Sequence, residues 1–243
     1  MERIILLPGY DGDGEKTFGK LKKLLEKKAE VLTVDYPYLN NWEKQYSLVE
    51  LIDYINAVIK DKKVVLLGFS MGGFVASAYA TKYPEKVSRL ILVSSATSPK
   101  LDNKLKIILM VAKVMLLNKL TADWLTKLFL ASNLKNFPLP HPGENFKPEQ
   151  GFGVFGSLVK VMSEKWDQTQ PTLTGPPSSL GATSSTLDRE GYKKEVILFE
   201  DDNSFPAKVY GPILKNQGFE VKIFETGGHA ERRDYWEKVA SVL

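Results

Sequence analysis

The 243-residue sequence contains no cysteine. That absence excludes disulfides, a thiolate nucleophile and cysteine-ligated zinc or iron–sulfur centres. Histidine is almost as scarce: His141 and His229 are the only two, so a histidine-rich metal site is excluded as well, and neither metal nor cofactor is expected. Arginine is limited to Arg3, Arg89, Arg189, Arg232 and Arg233, which leaves few of the forked donors that phosphate and base edges favour. The net charge is +4, from 33 basic and 29 acidic side chains, and the lysines alternate with acids as in KTFGKLKKLLEKKAE. Such a run reads as the solvated face of a helix, and nucleic acid is not an expected partner. The opening MERIILLP runs into a strand pattern without the cationic, apolar and small-residue segments of a signal peptide, so a cytoplasmic location is expected. The longest greasy stretch, Ile107 to Leu117, contains Lys113 and is too short to cross a bilayer, so no transmembrane segment is expected.

What is present is an alternation of two periodicities. The length favours one α/β domain with a large core, and 43% hydrophobic residues suffice to fill it. Strands are expected at Arg3 to Pro8, Val31 to Asp35, from Val64, at Leu90 to Ser94, and in EVILFE and EVKIFE. Between them the spacing predicts helices over Phe18 to Lys28, Leu48 to Ile59, Met71 to Lys82 and Ala207 to Asn216, with a last one from Asp234. The runs IILL, VVLL and LILV are apolar on both faces, as strands of a parallel sheet with helical crossovers are. A mostly parallel six-stranded sheet in a three-layer α/β sandwich is the expected sum.

After the fourth strand the rhythm stops for about 100 residues. LKIILMVAKVMLLNKLTADWLTKLFLA is apolar on nearly every helical face, PLPHPGENFKPEQGFGVF reads as loop, and a short helix is expected over Leu158 to Trp166. Thr169 to Ser185 is polar and rich in breakers. Insertions at the carboxyl ends of strands in an open α/β sheet lie over the ligand crevice. The division expected is therefore a core of residues 1–98 and 191–243 and a helical cap or lid of 99–190.

The decapeptide VVLLGFSMGG, residues 64–73, places Ser70 on a strand-to-helix turn with Gly68 and Gly72 two positions either side. This is the G-x-S-x-G nucleophile elbow, in which a strained turn lifts the hydroxyl clear of the sheet. The competing reading makes Ser70 an N-cap bonded to its own helix. A serine nucleophile needs a base, and His229 in the glycine-rich GGHAER after a strand suits that task, whereas His141 in PLPHPG reads as a solvent or lid residue. The base needs an acid to fix its tautomer. Glu200, Asp201 and Asp202 are consecutive, and Asp202 and Asp201 both remain candidates beside the alternative of a solvated acidic turn. The N–H of Met71, at the helix start, is suited to an oxyanion.

On LLPGYDGDG, GFSMG, YATKYPEKVSRLILVSSA, FEDDNSFP and GGHAER, the chain resembles an α/β-hydrolase of the serine-esterase kind over residues 3–98 and 194–243. The resemblance implies a triad in the order Ser70, Asp202, His229, with Asp202 four residues before Pro206, although Phe199 stands where glycine is usual. It also implies that the N–H of Tyr10 is the second oxyanion donor beside that of Met71. The expected activity is hydrolysis of a small-molecule carboxylic ester with a small or medium, largely apolar acyl group, without cofactor. Trp124, Leu125, Phe129, Phe152 and Phe155 are candidate wall residues, each with the alternative of packing the cap. Self-association through the apolar cap is a further expectation. The same three residues would equally serve a thioesterase, a lactonase or a carbon–carbon-bond hydrolase, and a weakly catalytic binding protein could keep the elbow.

Overall fold

The computed structural model describes residues 2–60, 63–98, 110–131, 147–164, 191–230 and 232–243. Six parallel strands, β1 (Arg3–Leu7), β2 (Glu30–Thr33), β3 (Val64–Phe69), β4 (Val87–Val93), β5 (Lys193–Phe199) and β6 (Glu220–Phe224), form one sheet in the order β2-β1-β3-β4-β5-β6. Helices flank it: α1 (Gly14–Leu25), α2 (Leu48–Ile59), α3 (Met71–Lys82), α4 (Lys119–Ala131), α5 (Gly151–Ser163), α6 (Ala207–Asn216) and α7 (Tyr235–Ala240). A further helical stretch covers 110–115, so the helical insertion follows β4. Among the described residues no helix is long and apolar enough to cross a membrane.

Strand side chains alternate between faces, and the two cores follow that alternation. Ile5, Leu7, Leu66, Leu90, Leu92, Val196 and Leu198 join one cluster, which α2, α3, α5 and α6 complete. Ile4, Leu6, Val65, Leu67, Ile91, Val93, Ile197 and Phe199 join the other, beneath Phe18 and Leu21 of α1 and Tyr235, Trp236 and Val239 of α7. Each fully buried aliphatic side chain contributes roughly 2 kcal/mol, so both faces demand apolar residues and the strands read as unbroken runs.

Besides shifts of one to three residues at other ends, three departures from the sequence pattern have an identifiable place in the fold. Helix α1 starts four residues early because Asp13 caps it, accepting from Lys16 N at 2.8 Å. Strand β4 begins at Val87, ahead of the expected Leu90. Helix α5 runs through Gly151–Ser163, where the glycines suggested loop up to Phe155 and a helix from Leu158 to Trp166. The physical reason is packing: a Cβ on Gly153 would lie 2.7 Å from the Trp42 backbone, so the helix needs glycine to approach that segment. Tyr46 N donates to Ser157 Oγ (2.8 Å) and Leu48 N to Glu164 Oε2 (3.0 Å), which fasten α5 to the segment entering α2. His141 and the stretch Thr169 to Ser185 lie outside the described residues.

The amino half of the sheet is pinned electrostatically. Glu195 on β5 is buried and accepts from Arg89 of β4, from Lys193 (3.0 Å) and from Lys222 of β6 (3.1 Å). Burial alone would raise its pKa, but those hydrogen bonds and the Arg89 charge outweigh burial and hold it at about 2, against an ordinary 4.5. A carboxyl whose folded pKa is depressed stabilises above its unfolded value and loses that contribution as pH falls. Glu195→Gln is therefore expected to cost about 3 kcal/mol at pH 7, as for one partner removed from a buried ion pair. In urea titrations over a pH series, the gap from the parent protein should close between about pH 4.5 and pH 2.

Candidate active site

The residues expected to form the relay and the oxyanion donors all lie at the carboxyl edge of the sheet. Across β1-β3-β4-β5-β6, that edge carries Tyr10, then Ser70, Ser94 with Ser95, Asp202 and His229 in turn. The sheet order reverses direction between β1 and β3, where an open α/β sheet leaves a crevice.

Ser70 sits between β3 and α3 with φ 52° and ψ −122°, a left-handed conformation that a side chain rarely adopts. Its hydroxyl makes no helix-capping bond, which removes the N-cap reading. The glycines beside it are required by proximity: a Cβ on Gly72 would lie 2.2 Å from Leu7 O, and one on Gly68 would lie 2.3 Å from Gly72 O. The backbone is tied down by Ser70 N donating to Val93 O (3.1 Å) and by Gly73 N donating to Ser70 O (3.0 Å).

His229 Nε2 lies 3.0 Å from Ser70 Oγ, and His229 Nδ1 lies 3.0 Å from Asp202 Oδ2. The imidazole is packed between Phe69, with ring centroids 4.9 Å apart, and Phe205, at 5.7 Å and an interplanar angle of 18°. Two flanking rings and two hydrogen-bond partners leave it one orientation. The other oxygen of Asp202, Oδ1, accepts from Ser204 N (2.8 Å) and Phe205 N (3.0 Å). Burial pushes the Asp202 carboxyl up, but hydrogen bonds from His229, Phe205 N and Ser94, together with the imidazole charge, hold it below the usual carboxylate range.

Adjacent Asp201 does something else. Its Oδ1 accepts from Gly227 N (2.8 Å) and Gly228 N (2.7 Å), and its Oδ2 from Arg232 Nε (3.3 Å), so it clamps the loop that carries His229. The two carboxylates thus divide between imidazole and loop. Phe199, at the position where glycine was expected, does not displace this arrangement. Its ring is fully buried against Tyr235, centroids 4.4 Å apart, and a Cβ on Gly227 would sit 2.1 Å from it. Glycine on the facing loop makes room for the phenylalanine.

Tyr10 follows Gly9, whose position allows ordinary contact with Ser70 Cβ (3.6 Å to an added Cβ), so the β1 loop lies over the serine. The Tyr10 carbonyl accepts from Tyr38 Oη at 2.7 Å, and its ring stacks on Phe155 at 6.0 Å and 20°. Met71 is buried at the start of α3. Of the candidate wall residues, Phe155 is buried in the same cluster as Tyr10 and Met71, with Phe152 and Leu125 packed against it. Trp124 is 57% exposed and takes no part in that cluster. The Phe129 side chain lies outside the described residues.

Ser94, Ser95 and Tyr235 were not singled out from the sequence. Ser95 Oγ donates to the carbonyl of Ser70 at 2.5 Å. Ser94, itself at φ 45° and fully buried, accepts from Tyr235 Oη at 2.7 Å and hydrogen-bonds Asp202. Two consecutive serines at the end of β4 therefore hold the two ends of the Ser70–His229–Asp202 relay. The signal was the polar pair closing LILV at the sheet edge that carries the other site residues.

A family model described as alpha/beta hydrolase fold matches residues 2–113. Rat 1-acylglycerol-3-phosphate O-acyltransferase ABHD5 is 45% identical over 51 residues, covering 21% of this chain and only 14% of that protein. The pimeloyl-(acyl-carrier protein) methyl ester esterase of Aeromonas hydrophila is 34% identical over 97 residues, 38% of this chain and 37% of that protein. The structure of an esterase from Exiguobacterium antarcticum superposes with a TM-score of 0.65 at 19% identity, covering 100% of this chain and 90% of that one.

The elbow geometry sets a stability test. Gly72→Ala should destabilise the fold by at least about 2 kcal/mol, because its Cβ meets β1 backbone and not a movable side chain. A melting temperature within a degree or so of the parent would contradict the close approach.

Proposed function

We propose that this chain, whose fold is similar to that of the α/β-hydrolases, hydrolyses carboxylic esters through an acyl-enzyme formed on Ser70. The observation that carries this reading is the unbroken relay from Ser70 Oγ to His229 Nε2 (3.0 Å) and from His229 Nδ1 to Asp202 Oδ2 (3.0 Å), on a strained turn. In this reading Ser70 attacks the ester carbonyl while His229 Nε2 takes its proton. Asp202, ionised and fully hydrogen-bonded, keeps the Nδ1–H tautomer and stabilises the imidazolium. The N–H groups of Tyr10 and Met71 receive the oxyanion, the latter helped by the start of α3. The imidazolium returns its proton to the leaving alcohol, and water then repeats the sequence on the acyl-enzyme.

Core residues 1–98 and 191–243 supply the relay in this proposal, and 99–190 act as the cap. The substrate is a small or medium, largely apolar acyl ester. Phe155 stacked on Tyr10, with Phe152 and Leu125 behind, offers buried apolar area beside the oxyanion loop. The esterase names among the compared proteins agree with this choice of bond.

Three measurements test it. An organophosphonate should label Ser70, seen by mass spectrometry; an unlabelled Ser70 with another serine modified in folded protein would overturn the assignment. p-Nitrophenyl esters of graded acyl length should turn over, and a protein that ignores all of them but cleaves acyl thioesters would overturn the ester reading. Asp202→Ala should lower kcat by about 10⁴-fold, whereas Asp201→Ala should lower it far less and mainly reduce stability, since only Asp202 meets the imidazole.

A further inference from the structure

The insertion helices have apolar residues on the side that should be polar. Over 110–127 the inner face is conventional: Leu116, Ala122 and Thr126 are buried, and Leu116 and Ala122 join the cluster that contains Tyr10 and Met71. The outer face carries Met110, Val111, Val114, Leu117, Leu120 and Trp124, with exposures from 49% at Val111 to 78% at Leu120. Met110, Val111 and Val114 are spaced by one turn on the first helical stretch, Leu120 and Trp124 by one turn on α4, and Leu117 lies in the turn between them. Elsewhere among the described residues, exposed large hydrophobics are single positions apart from Val209 and Ile213 on α6, and none is more than 49% exposed.

Charge selects the occupant. Residues 100–135 contain seven lysines (100, 104, 106, 113, 119, 127 and 135) against Asp102 and Asp123, a local balance of +5, so the remainder of the +4 chain balances to −1. The cationic excess of the sequence thus falls within the segment that contains this stripe. Within the described helices, Lys113 adjoins Val114 and Lys127 lies one turn beyond Trp124, while Lys119 is paired with Glu43 at 2.8 Å. A second copy of the same face would bring lysine against lysine across an isologous contact, which costs energy. An anionic lipid surface meets both halves of the pattern, since acyl chains receive the apolar row and headgroups receive the amines. Trp124 has the amphipathic ring suited to that depth.

We propose that the outer face of 110–127 docks this protein onto anionic lipid bilayers. The docking does not depend on the ester-hydrolase reading, and its test uses no turnover. The intact chain would be floated with vesicles of phosphatidylcholine alone and with vesicles containing phosphatidylglycerol. The expected result is recovery with the anionic vesicles only, falling at high salt. Leu117→Glu with Leu120→Glu should abolish flotation while leaving the melting temperature unchanged or higher, because both side chains are solvent-exposed in the free protein. Lys113→Glu with Lys127→Glu, which leaves every apolar contact in place, should weaken binding about five-fold or more. Absence of flotation by the parent protein, or equal flotation of parent and both variants, would overturn the proposal. So would a concentration-dependent dimer, abolished by the leucine variants, in protein that does not float.

Discussion

The contact on which the site depends is the approach of the β3–α3 turn to the end of β1. With a Cβ on Gly72 only 2.2 Å from Leu7 O, no side chain fits between the two backbones, and Ser70 is held in a left-handed conformation at the crest of the turn. Such a conformation costs of order 1–3 kcal/mol and persists only where neighbours over-determine it. Here they do: Val93 O holds the Ser70 N–H, while Gly73 N and Ser95 Oγ hold its carbonyl. Because Val93 and Ser95 belong to β4 and its exit, the strain on one strand end is borne by the next. The same strand end, through Ser94, reaches Asp202 beyond it. Ser70 and Asp202 are therefore spaced by one rigid strand and not by a loop.

Much of this was legible in the residues. The unbroken apolar runs announced a parallel sheet buried on both faces, and the alternation of Ile4 and Leu6 with Ile5 and Leu7 between two cores is the structural form of that pattern. The elbow was legible because its glycines obey a steric rule local to five residues. Asp201 and Asp202 could not be separated from composition, since both are acids on the same turn. Their difference arises from what faces them, two glycine N–H groups for one and an imidazole for the other. Phe199 looked like a departure that could move the loop because its compensation, Gly227, lies beyond β6 and is adjacent only after folding. The serine pair after β4 was illegible for a similar reason: a polar residue ending a strand is ordinary, and its task exists only once β3 and β5 lie either side.

The glycines of α5 failed as breakers for an instructive reason. Helix propensity penalises glycine by about 1 kcal/mol per residue, yet close packing against a backbone can demand it. Gly153 meets the backbone of Trp42, and Ser157 and Glu164 then accept the N–H groups of Tyr46 and Leu48. The helix is thereby fixed at a distance that lets Phe155 stack on Tyr10. Loss of intrinsic helicity is offset by tertiary contact, and local sequence counts only the loss.

That fixed distance ties the insertion to the chemistry. Helix α5 stands between the loop after β1 and α4, whose buried side supplies Ala122 to the same cluster while its exposed side carries Leu120 and Trp124. Interiors packed at crystal-like density transmit displacement and do not absorb it. A displacement of α4 would pass through the close contact of Thr126 with Gly151 of α5 toward the Phe155 ring that lies on Tyr10. In the proposed readings, a surface holding the outer row and a substrate beside Phe155 would act on opposite sides of one packed layer. Each can alter the other's fit through that layer, with no segment required to swing between two positions.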